Sequence, residues 1–174
     1  MKKIIVALAI SLSSIALTSA AFAADAVKIG SVDIQKVLLL SNAGKDAKEQ
    51  LAQKANKYET EKNAKEDELK KLKAELEKQS VLLSETARNA KEKDYQQRLK
   101  EYQRFLKDAQ DDLQAKNDEL TNRIVDEIVK VTQEYGRKNA YTAVFVRNET
   151  MIYLDDKADL TEEILKLFNA TKKK

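Results

Sequence analysis

The chain has 174 residues, 35% of them charged, and contains no Cys, His, Trp or Pro. Without Cys or His it can build no disulfide framework, no Ser–His–Asp or Cys–His catalytic site, and no His- or Cys-ligated zinc centre. Its three glycines are scattered, which excludes a Gly-rich phosphate loop, and a net charge of +3 supplies no strongly basic face for nucleic acid. Met1-Lys2-Lys3 is followed by an apolar run from Ile4 to Leu17 and by Ala21-Phe22-Ala23. This order predicts a secretory signal peptide over residues 1–23, cleaved between Ala23 and Ala24. The run is short for a membrane span, and no Cys is present to take a lipid anchor. Without Lys2 and Lys3 the exported chain keeps 30 basic and 29 acidic residues, so it is close to neutral.

Val27 and Ile29 alternate with Lys28, which predicts a strand over 27–32, and Gly30 inside it points to a close backbone approach or a bulge. Asp33 stands where an N-cap belongs, ahead of a short helix Ile34–Leu40 that is apolar on most sides and should be buried. Ser41-Asn42-Ala43-Gly44 reads as a turn, with Lys45 opening the next helix.

From Gly44 to Gly136 the chain is long and charged, with apolar residues three and four apart. Tyr95, Leu99, Tyr102, Leu106, Ala109 and Leu113 form an unbroken coiled-coil seam. Upstream, Leu51, Ala55, Tyr58, Leu69, Leu72, Leu76 and Leu83 share one heptad frame, with Lys62, Lys65 and Gln79 in its gaps. One continuous helix competes with a folded-back pair. The cluster Ser80-Val81-Leu82-Leu83-Ser84-Glu85 favours the pair: Ser84 can cap a second helix with Glu85 at its positive end. Helices are therefore predicted near 45–80 and 85–135. At the base Leu120, Ile124, Ile128, Val131 and Tyr135, widened by Val125 and Val129, predict burial in a globular body. Gly136 reads as the residue ending that helix, beside Arg137 and Lys138.

Residues 141–146 and 151–154 read as two strands of a β-hairpin around Arg147–Thr150. Thr161 reads as the cap of a last helix carrying Ile164, Leu165 and Phe168 inward. The predicted class is α+β: a small β-rich body from 24–44 and 120–174, and a long antiparallel coiled-coil arm over 45–119. Three strands are few for a sheet, so the body calls for an oligomer. Carboxylates alternate with lysines as on a solvated helix face, so no enzyme, metal or cofactor is expected. Residues 62–109 hold 13 basic and 10 acidic side chains, residues 110–140 hold 5 and 7, leaving the tip slightly positive.

The block Val27-Lys28-Ile29-Gly30-Ser31-Val32-Asp33-Ile34-Gln35-Lys36-Val37, the following Ser41-Asn42-Ala43-Gly44-Lys45, and the closing blocks Tyr141–Phe145, Met151–Tyr153 and Ala158–Leu165 resemble the Skp/OmpH family of periplasmic chaperones. The resemblance covers the whole exported chain in order, and its specificity lies in the two ends. It implies a homotrimer in the periplasm of a Gram-negative bacterium, with the strands of three subunits in a shared barrel. It implies arms enclosing a cavity that holds unfolded outer-membrane proteins without ATP. Well-known members are strongly basic; this near-neutral chain is expected to make at most a weak contact with lipopolysaccharide or an anionic membrane. Client contact has two candidate chemistries. One is apolar, through Val81 and Leu82 at the turn, unless they close the hairpin core, and through Phe105, which lies off the seam and is expected to be exposed. The other is electrostatic, through Arg88, Lys91, Lys93, Arg98 and Arg104. A rival reading is a structural or adaptor coiled coil that docks on a folded partner.

Overall fold

The computed structural model describes residues 27–79 and 84–171. The expected signal peptide with its cleavage at Ala23 and Ala24, and the turn residues Val81, Leu82 and Leu83, lie outside the described residues. The elements run β1 (Ile29–Val32), α1 (Ile34–Leu40), α2 (Asn42–Gln79), α3 (Glu85–Lys138), β2 (Ala143–Val146), a 3-10 turn (Asp156–Ala158) and α4 (Thr161–Thr171).

The fold is mostly helical, with a long helical hairpin and a small two-stranded sheet, as the α+β reading requires. α2 and α3 are antiparallel: Glu75 meets Lys91, Glu68 meets Arg98 and Lys54 meets Asp112. Ser84, in extended conformation, accepts a hydrogen bond from the Ala87 amide and starts α3, with Glu85 in its first turn. α3 has 54 residues against 38 in α2, and its surplus enters the core. There Leu120, Ile124 and Ile128 pack with Val32, Val37, Ala47, Leu160, Ile164 and Phe168. Side chains at steps of four on α3 meet α1 and α4 because the extra turns pass beyond the end of α2.

β1 and β2 pair in parallel, Ile29 opposite Ala143 and Val32 opposite Val146. A parallel pair needs a crossover, and here the whole helical hairpin is that crossover. On its other edge β1 bridges to Asp159 through Ser31, with Leu160 N–H donating to the Ser31 carbonyl. Gly30 marks a close approach, as expected: a Cβ there would fall 2.5 Å from Leu160 Cδ1 and 3.1 Å from Tyr141 Cε1.

Several expectations are corrected. Residues 151–154 form no strand, so there is no hairpin with β2; Ile152 is 100% exposed and Tyr153 82%. Both edges of β1 are taken, by β2 and by Asp159, but the outer edge of β2 stays open; residues 148–151 close a tight turn on Asn148, and 151–154 leave it without bonding to that edge. The short helix α1 is not buried all round: Val37 is, but Leu39 is 70% exposed. A seven-residue helix packed on one side can bury only one stripe. The turn at 41–44 shrinks to Ser41 alone. Its hydroxyl accepts from the Gly44 amide and donates to the Leu38 carbonyl, so α2 starts at Asn42; Gly44 lies inside it because a Cβ would overlap the Leu38 carbonyl.

Gly136 does not end α3. The helix runs to Lys138, and Asn139 is its C-cap. Tyr141 N–H bonds back to the Gly136 carbonyl and Ala140 N–H to Arg137, which is the Schellman pattern, with Ala140 at φ 55° in the left-handed position usually given to Gly. Thr161 does not cap α4 but is its first residue. Its hydroxyl donates to Asp159 Oδ1 and accepts from the Asp33 amide, while Asp159 Oδ1 also accepts from Thr161 N–H. Asp33 caps α1 as expected, accepting from Lys36 N–H at 2.8 Å.

Candidate functional site on the helix pair

Along most of its length the helix pair has little core. Between residues 48 and 119 the only apolar residue buried among those described is Ala109. Seam residues such as Leu69, Leu99 and Tyr102 are half-buried, because two helices alone cover only one stripe of each other. Polar contacts supplement this thin seam. The Tyr58 hydroxyl donates to Asp112 Oδ2, Lys54 pairs with the same carboxylate, and the Tyr102 hydroxyl donates to Glu66. The hydrogen bonds from Lys54 and Tyr58 hold the Asp112 carboxyl below its ordinary value. Its hydrogen bond to Asp112 raises Lys54, while those to Asp112 and Glu66 raise the Tyr58 and Tyr102 hydroxyls. Each group is thereby held in its usual state at neutral pH. The arrangement fixes helix register and supplies no acid or base poised for catalysis.

The residues expected to contact a partner fall into distinct settings. Lys91 pairs with Glu75 at 3.2 Å across the helices. Arg98 lies 3.6 Å from Glu68 and Asp94 and 3.7 Å from Glu101, so its charge is largely matched. Arg88, Lys93 and Arg104 are exposed, and Arg88 borders a groove with Leu76 and Tyr95. Phe105 departs from expectation. It is half-buried, edge-on to Tyr58 at 6.0 Å between centroids, with the Lys65 ammonium 5.3 Å above its ring. Position beside the seam, one residue before Leu106, lets a long aromatic reach across to α2. Leu106 on the seam is instead 39% exposed, since Ala55 and Lys62 opposite it leave a gap. These residues do not converge on one pocket.

The Lys54–Tyr58–Asp112 cluster escaped the sequence reading. Its signal was the charge pattern one residue ahead of the seam positions, where Lys54, Glu68 and Glu75 on α2 pair with Asp112, Arg98 and Lys91 on α3. Among the described residues no group of three His, Cys, Asp or Glu could hold a metal ion, and no helix is long and apolar enough to cross a membrane.

At the other end of the molecule, Phe145, Val146, Ile152 and Tyr153 present an apolar surface beside β2. A cleft of about 500 Å³ lies there between β2 and α3, lined by Val32, Val129, Tyr141 and Val144.

Comparison with known proteins agrees with this architecture. A protein of Aquifex aeolicus, described only as uncharacterised, is 33% identical over 135 residues, spanning 78% of this chain and 82% of that one. A solved structure from Caulobacter crescentus, described as a candidate outer membrane chaperone (OmpH-like), superposes with a TM-score of 0.78 at 15% identity, over 83% of this chain and 85% of that one. At that identity the likeness speaks for the fold. The family model for outer membrane protein (OmpH-like) matches residues 28–168. This chain belongs to the OmpH-like family.

Proposed function

We propose that the protein is an ATP-independent holdase of the Gram-negative periplasm, which keeps unfolded outer-membrane β-barrel proteins soluble between its arms and catalyses no reaction. In this reading residues 24–44 and 120–174 form the body and residues 45–119 the arm. Residues 1–23 are the export signal, cleaved after Ala23. The observation that carries the reading is the build of the helix pair: at ~1.5 Å per residue α2 extends ~57 Å while burying almost no core. Such an element is nearly all surface, which suits holding a large, irregular partner. The family and the fold shared with the Caulobacter protein support it.

The body supplies the oligomer. Ile152, Tyr153, Phe145 and Val146 are apolar and uncovered, and residues 151–154 have strand composition without a strand partner. A homotrimer sharing these edges would enclose a space between three arms. Client contact through Arg88, Lys91, Lys93, Arg98, Arg104, Phe105, Val81 and Leu82 is distributed and individually weak, since an exposed ion pair is worth ~0–1 kcal/mol. Lipopolysaccharide or anionic membrane contact is at most weak for a chain this close to neutral.

The test dilutes several unrelated outer-membrane proteins from denaturant into buffer with the exported form of the protein. The expected result is suppressed aggregation of all of them by a trimer. Binding to one folded partner, with no effect on unfolded ones, would make it an adaptor instead. Deleting residues 55–110 and closing the gap with a short loop should leave the trimer intact and abolish holding; a monomeric product would refute the division into body and arm.

A further inference from the structure

The two flanks of the helix pair are built differently. One flank is closed by charge: Lys54 to Asp112, Glu68 to Arg98 and Glu75 to Lys91 all cross it. The opposite flank is formed on α3 by the residues that follow the seam positions Tyr95, Tyr102 and Ala109, namely Gln96, Gln103 and Gln110, with Asn89 seven residues earlier. All four are exposed carboxamides, and among the described residues none has a side-chain hydrogen bond or ion pair. On this flank the Tyr102 hydroxyl donates to Glu66 across the helices. Two grooves of the helix pair open here, and charged side chains share their rims, Glu59 and Lys62 in one and Arg88 and Glu92 in the other. The Tyr58, Leu106 and Ala109 floor has Gln110 at its rim, and the Leu76 and Tyr95 floor has Gln96.

We propose that this flank is the gripping face, and that it holds an extended stretch of unfolded polypeptide by its backbone; the inference rests on the holdase reading and names the chemistry of its site. A carboxamide offers a donor and an acceptor, which is what a peptide group needs, and the peptide group is the same at every residue of a client. Amides in series therefore recognise chain without selecting sequence, as cations or anions would not. The spacing limits the grip. Seven helical residues advance ~10.5 Å, about three residues of extended chain, whereas a strand presents the same edge every ~6.6 Å. The amides can meet an extended chain at intervals but cannot pair with it continuously, so they hold it without templating a sheet. From Asn89 to Gln110 the row covers ~31 Å, enough for roughly nine or ten extended residues. Side chains of the client enter the apolar grooves between amides.

The test compares the exported form of the protein with its Q96A/Q103A/Q110A variant and with the control Q53A/Q97A. Gln53 and Gln97 are carboxamides on other faces that already bond Glu49 and Glu101. All are exposed helix positions, where alanine preserves the helix; circular dichroism and solution mass confirm fold and assembly. Two probes are used: a denaturant-unfolded outer-membrane protein, and an uncharged synthetic peptide of Ser, Thr and Tyr with its counterpart N-methylated at alternate residues. The triple variant should bind both unmethylated probes about tenfold more weakly, the loss should persist in ~1 M salt, and the control should bind as wild type. Wild type should bind the methylated peptide at least about tenfold more weakly than its parent. Equal binding by the triple variant, or of the two peptides, would overturn the proposal while leaving the holdase reading in place. A change in oligomeric mass of the triple variant would overturn it in favour of a contact between copies. If wild type holds no unfolded probe at all, both readings fall.

Discussion

Thr161 joins three parts of the fold, and replacing it tests how they are joined. Its side chain is 1% exposed. The hydroxyl accepts from the Asp33 amide at 3.0 Å, at the start of α1, and donates to Asp159, which also takes Arg147 at 2.6 Å. Thr161→Val keeps the shape and removes both bonds. It leaves the Asp33 N–H without its partner, a cost of ~1–3 kcal/mol, and removes a donor to a carboxylate, so a total near ~2–4 kcal/mol is expected. Thr161→Ser keeps the hydroxyl and loses one buried methyl, about 1 kcal/mol. Urea unfolding at one fixed protein concentration measures the difference. The same experiment across pH adds a second reading. Burial pushes the Asp159 carboxyl up, but hydrogen bonds from the Thr161 hydroxyl and amide, with the Arg147 charge, outweigh it and leave it below the ordinary carboxylate value. A depressed carboxylate stabilises the fold above its unfolded value and loses that contribution as pH falls through the folded one. The wild type should therefore lose stability as pH drops below that range, and Thr161→Val should lose less. Equal stability of the valine and serine variants, or an unchanged acid slope, would refute the role assigned to the hydroxyl.

Three further outcomes are expected. Ala140→Gly should raise stability by ~1 kcal/mol, read by thermal unfolding, because Ala140 at φ 55° carries the strain that Gly avoids. Phe168→Ala, at a site 1% exposed, should cost ~3–5 kcal/mol, whereas Leu106→Ala, at a site 39% exposed, should cost under about 2 kcal/mol; denaturant titration of the pair separates a packed core from a thin seam. Asp159→Asn should flatten the acid limb of the stability curve, and an acid limb as steep as that of wild type would assign the effect to other carboxylates.

What was legible in the sequence follows from the range of the forces involved. The hairpin could be read because heptad spacing and the Ser84 cap are local signals that no distant contact opposes. The burial of Leu120, Ile124 and Ile128 could be read because a widened apolar stripe has one physical outcome. The ends of elements were harder. Gly136 looked like a terminator, yet α3 runs two residues further, to Lys138, and Tyr141, packed against Tyr135, closes the Schellman turn by bonding back to the Gly136 carbonyl. Thr161 had the chemistry of a cap, but Asp33 from the far end of the chain competes for its hydroxyl. The strand at 151–154 had the right composition, yet the turn on Asn148 carries it past the open edge of β2 without pairing, which propensity cannot report.

On the helix pair the same division separates charge from position. Residue type alone grouped Arg88, Lys91, Lys93, Arg98 and Arg104 as one cationic set, and the structure divides it. Lys91 and Arg98 face Glu75 and Glu68 because each stands one residue before a seam position, where antiparallel helices bring like heptad positions together. Arg88, Lys93 and Arg104 stand elsewhere and stay exposed. Phe105 belongs to the first group by position, which is why it reaches Tyr58 and Lys65 instead of solvent. The uncharged row Gln96, Gln103 and Gln110 obeys the same seven-residue rule on the opposite flank, and draws no notice in a chain so rich in charge. On that flank Glu59 pairs with Lys62 along its own helix, and the amides opposite leave the groove open. The ion pairs that cross the helix pair thus lie along one side, while amides and two open grooves lie along the other, and that asymmetry is set by which residue precedes and which follows each seam position.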